Sequence, residues 1–419
     1  MEILLGECGG MGILGIIMKN TMIVFGAAVL AVACNSGGGG TPAADTAGVR
    51  VVAQDSAGMQ ATAAADTAGW ALLPFVKQDA ANPVLTPGTG HFTDPIRRQD
   101  VAWEEKDVFN PAVAVRGDSV YLLYRAQDKI GKPAGTSRIG LAVSGDGLHF
   151  SRRPAPVLYP DGDAQQKLEW EGGCEDPRLV EDEKGMYYMT YTAYDGKLAR
   201  LLIATSPDLV HWTKHGPVFA KAYGGKYREL WSKSGAIVSR YAGGKIIATR
   251  VAGKYWMYWG DQNIWAATSD DLLNWTPVEM SPGERAPIPL RGQALNMPKL
   301  KIVVPTRNKK FDSDLVESGP PAMLTDKGIL LIYNGRNVPA MGDSSLPEGT
   351  YAGGQVLMDR TDPTKVVQRL DHYFIRPEKP YEITGQVGQV CFLEALARYK
   401  GKWFLYYGTA DSKIAVAVK

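Results

Sequence analysis

The sequence predicts an all-β fold, a five-bladed β-propeller, and three observations predict it. A strand–turn–strand unit recurs five times, at a spacing of about 65–75 residues. Its strands are short and rich in Tyr, Trp, Val, Ile and Leu, which suit a pleated, packed surface. No stretch of good helical periodicity interrupts them. A propeller blade holds about four such strands, so five units make one ring.

The first unit reads Val120–Ala126, then Arg138–Ser144, then a turn through Asp146, Gly147, Leu148, His149 and Phe150. The second repeats the order with Tyr187–Thr192, Leu201–Ser206 and Asp208–Trp212. The third does so with Lys254–Trp259, Ile264–Ser269 and Asp271–Trp275. A fourth begins at Gly328–Tyr333 and a fifth at Lys402–Tyr407, ending in Lys413–Val418. The last unit stops after two or three strands. A segment from the N-terminal side must therefore supply its outer strand.

Ahead of the repeats, residues 1–34 read as an export signal. Lys19 gives a positive start and Met22–Ala33 an apolar run of the length that signals use. Cys34 follows small residues and precedes Asn35, Ser36 and four glycines, which resembles a bacterial lipoprotein signal. That resemblance implies an acylated Cys34, a membrane anchor through its lipid, and a periplasmic or outer-membrane location. Residues 35–69, rich in Gly, Ala, Thr and Asp, are expected to be a flexible tether. The folded domain is placed at 70–419.

Composition excludes several functions. Of 419 residues, 45% are apolar and 21% charged, as in a soluble globular chain with ample core. A net charge of +2 without a basic run argues against a nucleic-acid partner. Four scattered cysteines and five histidines form no ligand-spaced set, so neither a metal nor another cofactor is expected.

The most informative stretch is Gly172-Gly173-Cys174-Glu175-Asp176-Pro177-Arg178. It sets two carboxylates and a guanidinium on a turn shaped by glycine and proline. One such turn is usually a salt-bridged surface feature. Matching turns on the other units also carry charge, however, and a closed ring brings strand ends into one funnel. Asn110, Arg125, Asp128, Arg138, Lys233, Ser234, Asp261, Asp312, Glu317, Glu394 and Asp411 are candidates for it beside Glu175, Asp176 and Arg178. Carboxylates mixed with cations grip sugar hydroxyls and raise the pKa of one carboxyl, which permits acid–base work on a glycosidic bond.

Six segments in order resemble glycoside hydrolase family 130: Phe109–Pro111, Tyr124–Ala126, Gly172–Arg178, Lys233–Gly235, Gly319–Pro321 and Tyr406–Asp411. The resemblance spans about residues 100–419 and implies a five-bladed propeller acting on β-mannosides. It implies that Asp176 is the general acid, acting through a hydroxyl of the bound mannose. Asn110, Arg125 and Asp411 would hold the mannosyl unit, with Arg138, Arg178 and Lys233 as neighbours. The family contains both phosphorylases and hydrolases. Glu317 resembles a glutamate of the β-1,2-mannosidase branch, and Asp261 stands where that branch has a second glutamate. Where many members carry histidine, this chain has Asn334, which is neutral.

These features imply an inverting exported hydrolase with Glu317, helped by Asp261, activating water. Inorganic phosphate becomes a partner only under the alternative, a β-mannoside phosphorylase, for which Arg307 or Lys309 in the basic 285–310 stretch restores positive charge. A third possibility is a sugar-binding propeller without catalysis.

Overall fold

The computed structural model describes residues 69–419 apart from Pro339, and the chain across them is mostly β, with a few single-turn helices. The export signal, Cys34 and nearly all of the tether lie outside the described residues. After β1 (Val76–Lys77), a hairpin of β2 (His91–Asp94) and β3 (Gln99–Ala102) leads into the first antiparallel group. That group is β4 (Asp107–Arg116), β5 (Ser119–Gln127), β6 (Ser137–Ser144) and β7 (Ser151–Arg152).

The single-turn helix α1 (Gln166–Glu169) precedes the second group. It comprises β8 (Gly173–Glu181), β9 (Tyr187–Tyr194), β10 (Ala199–Ser206) and β11 (Thr213–Pro217). A small hairpin, β13 (Ser239–Ala242) with β14 (Lys245–Ala248), follows the short β12 (Ala236–Ile237), and β15 (Arg250–Val251) comes next. The third group is then β12 with β16 (Lys254–Trp259), β17 (Ile264–Ser269) and β18 (Trp275–Pro277), while β19 (Ile302–Val304) also pairs with β17.

In the fourth group, β20 (Leu315–Ser318) and β21 (Met323–Leu324) both pair with β22 (Ile329–Arg336). β23 (Tyr351–Met358) and β24 (Val366–Arg369) complete it. After α2 (Pro380–Ile383), the fifth group is β25 (Cys391–Tyr399), β26 (Lys402–Thr409) and β27 (Lys413–Val418). β1 pairs with β27, Val76 opposite Val418, so the first described strand supplies the fourth strand of the last group.

Five hydrophobic clusters lie between these groups. Leu123 and Ile139 of the first pack with Met189 and Tyr191 of the second. Leu201 and Ile203 of the second meet Met257 and Trp259 of the third. Tyr258 and Ile264 then meet Leu331 and Val356 of the fourth, and Leu330 and Ile332 meet Leu393 and Leu405 of the fifth. The remaining cluster joins Phe404 and Tyr406 to Val108 and Leu122, so the fifth group packs back on the first. The leading strands are covered on both sides by this arrangement, and all nine residues of β8 are buried.

Each group but the third also carries one buried ionic staple. Tyr124 donates to Glu104 (2.8 Å), which also accepts from Arg152 of β7 (3.0 Å). Tyr191 and Lys214 of β11 meet on Glu169 (2.8 and 2.6 Å). Tyr333 and Arg369 of β24 meet on Asp312 (2.7 and 2.6 Å). Tyr407 and Lys77 of β1 meet on Glu382 (2.8 and 2.7 Å). In every case the staple ties a group's second strand to its outermost one. A buried carboxylate is tolerated because its desolvation is offset by a cation and a hydroxyl in hydrogen-bonding geometry. The third group has Trp259 at the tyrosine's place, stacked on Trp265 at 5.3 Å.

Candidate active site

The leading strands lose register where their polar residues sit. β4 is irregular between Phe109 and Pro111, β8 between Glu175 and Arg178, and β25 between Leu393 and Ala395. Asn110, Asp176 with Pro177, and Glu394 are therefore left out of the ladders. Such bulges re-aim side chains. Asn110 (φ 48°), Asp176 (φ 47°), Ser234 (φ 58°) and Asp411 (φ 50°) all take left-handed backbone conformations. A non-glycine residue held there costs about 1–3 kcal/mol, so the surrounding fold maintains strain at four polar positions. Gly408 answers a different need. A Cβ on it would lie 2.1 Å from Asn110 Oδ1, so only glycine lets Asn110 fold in.

Arg125 organises the first half of the site. Its Nη1 donates to Asp176 Oδ1 (3.0 Å), its Nη2 to Glu175 Oε1 (2.8 Å) and its Nε to Ser137 Oγ (3.0 Å). Asn110 Nδ2 also donates to Asp176 Oδ1 (2.9 Å). Burial alone raises the Asp176 pKa, but Arg125, Lys233, the Asn110 bond and Arg178 outweigh it and hold it at about 2. Glu175 is shifted the other way, because its burial outweighs Arg125 and Lys233.

The second half centres on Lys233. Burial lowers its pKa, yet Asp261, Glu175, Glu317 and Asp176 together hold it above the ordinary lysine value. Ser234 donates to Glu317 Oε1, and Trp231 Nε1 donates to Asp261 Oδ2 (2.9 Å). Burial raises the Glu317 pKa to about 7, reinforced by Asp261 and opposed by Lys233, Arg178 and Ser234. Asp411 also reaches about 7, through burial and the charge of Asp176, against Arg125 and Lys233. A cleft of about 400 Å³ opens beside Asp261, with Gln262, Asn296 and Arg336 among its walls.

The expected residues thus divide. Asn110, Arg125, Asp176, Lys233, Asp261, Glu317 and Asp411 fall in one electrostatic cluster. Arg178 borders it, but its donors are taken by backbone carbonyls and the Glu394 carboxylate, so its expected role in holding sugar is corrected. Arg138 and Asp128 are corrected too. Arg138 is fully buried and bonds Asp128 (2.8 Å) and Asp94 (2.6 Å), while the other Asp128 oxygen caps the 130–136 loop. Asp312 is the staple of the fourth group, and Arg307 donates to it instead of adding charge to the site. Lys309 donates its backbone N–H to Met341 O.

Two supporting residues lacked a signal in the sequence. Trp231 acts on a carboxylate 30 positions away and Tyr351 stands within the field of Glu317, Asp411 and Asp261. Only the folded chain brings them there.

The chain is similar to known proteins over its described part. The family model described as beta-1,4-mannooligosaccharide phosphorylase matches residues 75–419. A 1,2-beta-oligomannan phosphorylase of Thermoanaerobacter sp. (strain X514) is 30% identical, over 82% of this chain and 96% of its own. A putative glycosidase from Bacteroides thetaiotaomicron, solved by crystallography, is 47% identical with a TM-score of 0.78, covering 84% of this chain and 97% of its own. Another solved structure is 45% identical with a TM-score of 0.78, covering 83% of this chain and 94% of its own. It is described with the words "The GH130 family of mannoside phosphorylases contains glycoside hydrolases that target beta-1,2 mannosidic linkages in Candida mannan".

Proposed function

Since the chain belongs to glycoside hydrolase family 130, we propose that it hydrolyses β-mannosidic oligosaccharides, β-1,2-linked ones first, with inversion at the anomeric carbon. One observation carries the choice of hydrolysis. Six carboxyls (Glu175, Asp176, Asp261, Glu317, Glu394, Asp411) share their surroundings with three cations (Arg125, Arg178, Lys233). Such a site already retains protons to limit its negative charge. A phosphate dianion would add to that charge, whereas water adds none. The 45%-identical structure described with hydrolases supports the same reading.

In this mechanism Asn110, Arg125 and Asp411 hold the mannosyl unit. Glu317, near 7, is poised to take a proton from water at neutral pH. Asp261, fixed by Trp231, adds charge beside that water. Asp176 serves the leaving oxygen through a sugar hydroxyl. In the free site it is ionised, so it must gain a proton as substrate displaces Arg125 and Asn110 from it. Asp411 is the neighbouring source, since its proton is retained partly by the charge of Asp176.

The cycle of five packed groups is read as a five-bladed propeller, supported by five shared cores of which one joins the last group to the first. Residues 1–34 are read as an export signal with a lipid on Cys34, on the charged start, the apolar run and the polyglycine. Residues 35–69 are then the tether to that anchor.

A second reading is supported by Lys233, which has no carboxylate within 4.0 Å among the described residues, and by the phosphorylase relatives. The deciding experiment incubates the protein with β-1,2-mannobiose, with and without inorganic phosphate. Mannose in both tubes is the expected result. Mannose 1-phosphate formed only with phosphate establishes phosphorolysis instead, and binding without product establishes a sugar-binding protein.

A further inference from the structure

The Arg178 side chain is buried, and each of its three guanidinium nitrogens meets a protein oxygen. Nε donates to Gly319 O (2.9 Å) and Nη2 to Ser318 O (2.8 Å), the two carbonyls that directly follow Glu317. Nη1 donates to Asp176 O (3.3 Å) and stands 3.0 Å from Glu394 Oε1. One planar guanidinium thus reaches the Asp176 bulge of β8, the end of β20 that carries Glu317, and the Glu394 bulge of β25.

Glu394 is fully buried, and neither of its oxygens accepts a hydrogen bond. Its approach to Nη1 is close but out of line for one, so the contact is electrostatic. A carboxyl placed there without hydrogen-bonding partners costs stability. Counted from the paired second strand, it stands in β25 where β4 has Pro111 and β8 has Pro177, one residue past the places of Asn110 and Asp176, both in the sugar-binding half of the site. Unlike those two, it faces the guanidinium.

We infer that Arg178, backed by Glu394, is a positioning residue that fixes the carboxyl of Asp176 relative to that of Glu317 and does not touch substrate. Lysine cannot replace it, because an ammonium is a point charge that cannot span carbonyls from two strands and a carboxylate at once. The consequence for turnover rests on the hydrolase reading above; the geometric claim does not.

The test uses Arg178→Lys and Glu394→Gln in the full chain, with β-1,2-mannobiose as substrate. In Arg178→Lys, kcat should fall about 100-fold, the cost of a ~1 Å misplacement of reacting groups. KM should stay within about 3-fold, because no ground-state contact is lost. Glu394→Gln, which keeps the volume and removes the titratable carboxyl, should show a smaller fall in kcat, a flat KM and a displaced limb in the pH profile. A KM that rises while kcat holds would show that Arg178 grips the sugar, and wild-type kcat in both variants would show that it positions nothing; either overturns the inference. If Arg178→Lys does not fold, Glu394→Gln decides by the same readouts. If the wild type turns over no β-mannoside, the functional reading fails separately. The inference is then decided by the Asp176–Glu317 carboxyl separation in crystal structures of the variants, and an unchanged separation overturns it.

Discussion

Replacing Glu317 by Gln should remove activity and stabilise the protein, in opposite directions and with different pH dependence. Burial lifts the Glu317 pKa from 4.5 to about 7. The folded chain therefore holds this proton more tightly than the unfolded chain does. A carboxyl raised in this way contributes most below pH 4.5, and that contribution is lost as pH rises through about 7. A difference of about 2.5 in pKa, at 1.36 kcal/mol per unit, makes the loss about 3 kcal/mol by pH 8. Glutamine pays none of it, and its side-chain oxygen can still accept from Ser234.

The assay is urea unfolding of both proteins at pH 5 and pH 8, beside initial rates of mannobiose hydrolysis. At pH 8 the variant should be more stable by up to about 3 kcal/mol, and at pH 5 by less than about 1 kcal/mol. Its hydrolytic rate should drop by about 10²–10⁴, the usual contribution of a general base. A variant no more stable than wild type at pH 8, or a gap that does not close on acidification, refutes the electrostatic reasoning. Full hydrolytic rate in the variant refutes the assignment of Glu317 as the base.

Three further outcomes are expected. Asp312→Ala should cost about 3–5 kcal/mol, read as a lower Tm, because Tyr333, Arg369 and Arg307 lose their shared acceptor; KM should not move, since the staple is remote from sugar. Asp176→Asn should lose most activity on mannobiose and far less on an aryl mannoside whose leaving group needs no proton, compared as kcat on the two substrates. Cys34→Ser should move the protein from the membrane fraction to the soluble fraction; unchanged fractionation counts against acylation.

The repeat was legible because each unit has aromatic, β-branched strands and the first three share a Ser-x-Asp turn. Ser144, Ser206 and Ser269 bond to Asp146, Asp208 and Asp271 in the same way in three groups. Asn110 and Asp176 were legible because proline inside a strand-like run marks irregular backbone. Asp128, Arg138 and Asp312 were misread because a charged residue near a strand end has two destinations: the shared centre, or a buried ion pair within the scaffold. Sequence does carry a cue to the second. Glu104, Glu169, Asp312 and Glu382 precede their tyrosines by 20, 22, 21 and 25 positions. An acid repeating at that offset belongs to the scaffold. Glu317 and Asp261 repeat at no such offset, as the proposed mechanism, which needs each of them once, requires.

That distinction explains how a repeating chain holds an asymmetric site. The residues following the second-strand aromatic are Arg125, Thr192, Gly260, Asn334 and Gly408, five equivalent positions with one charge among them. Gly408 yields space to Asn110, and Asn334 is engaged with the backbone of Leu393 (2.7 and 3.0 Å). Arg125 alone is free to bind both Glu175 and Asp176. In the proposed propeller these five positions approach one axis, where five like charges would repel at short range and low dielectric. Symmetry can therefore persist at the staples, which lie inside separate groups and carry their own counter-ions. It must break at the centre, where all the groups share one space.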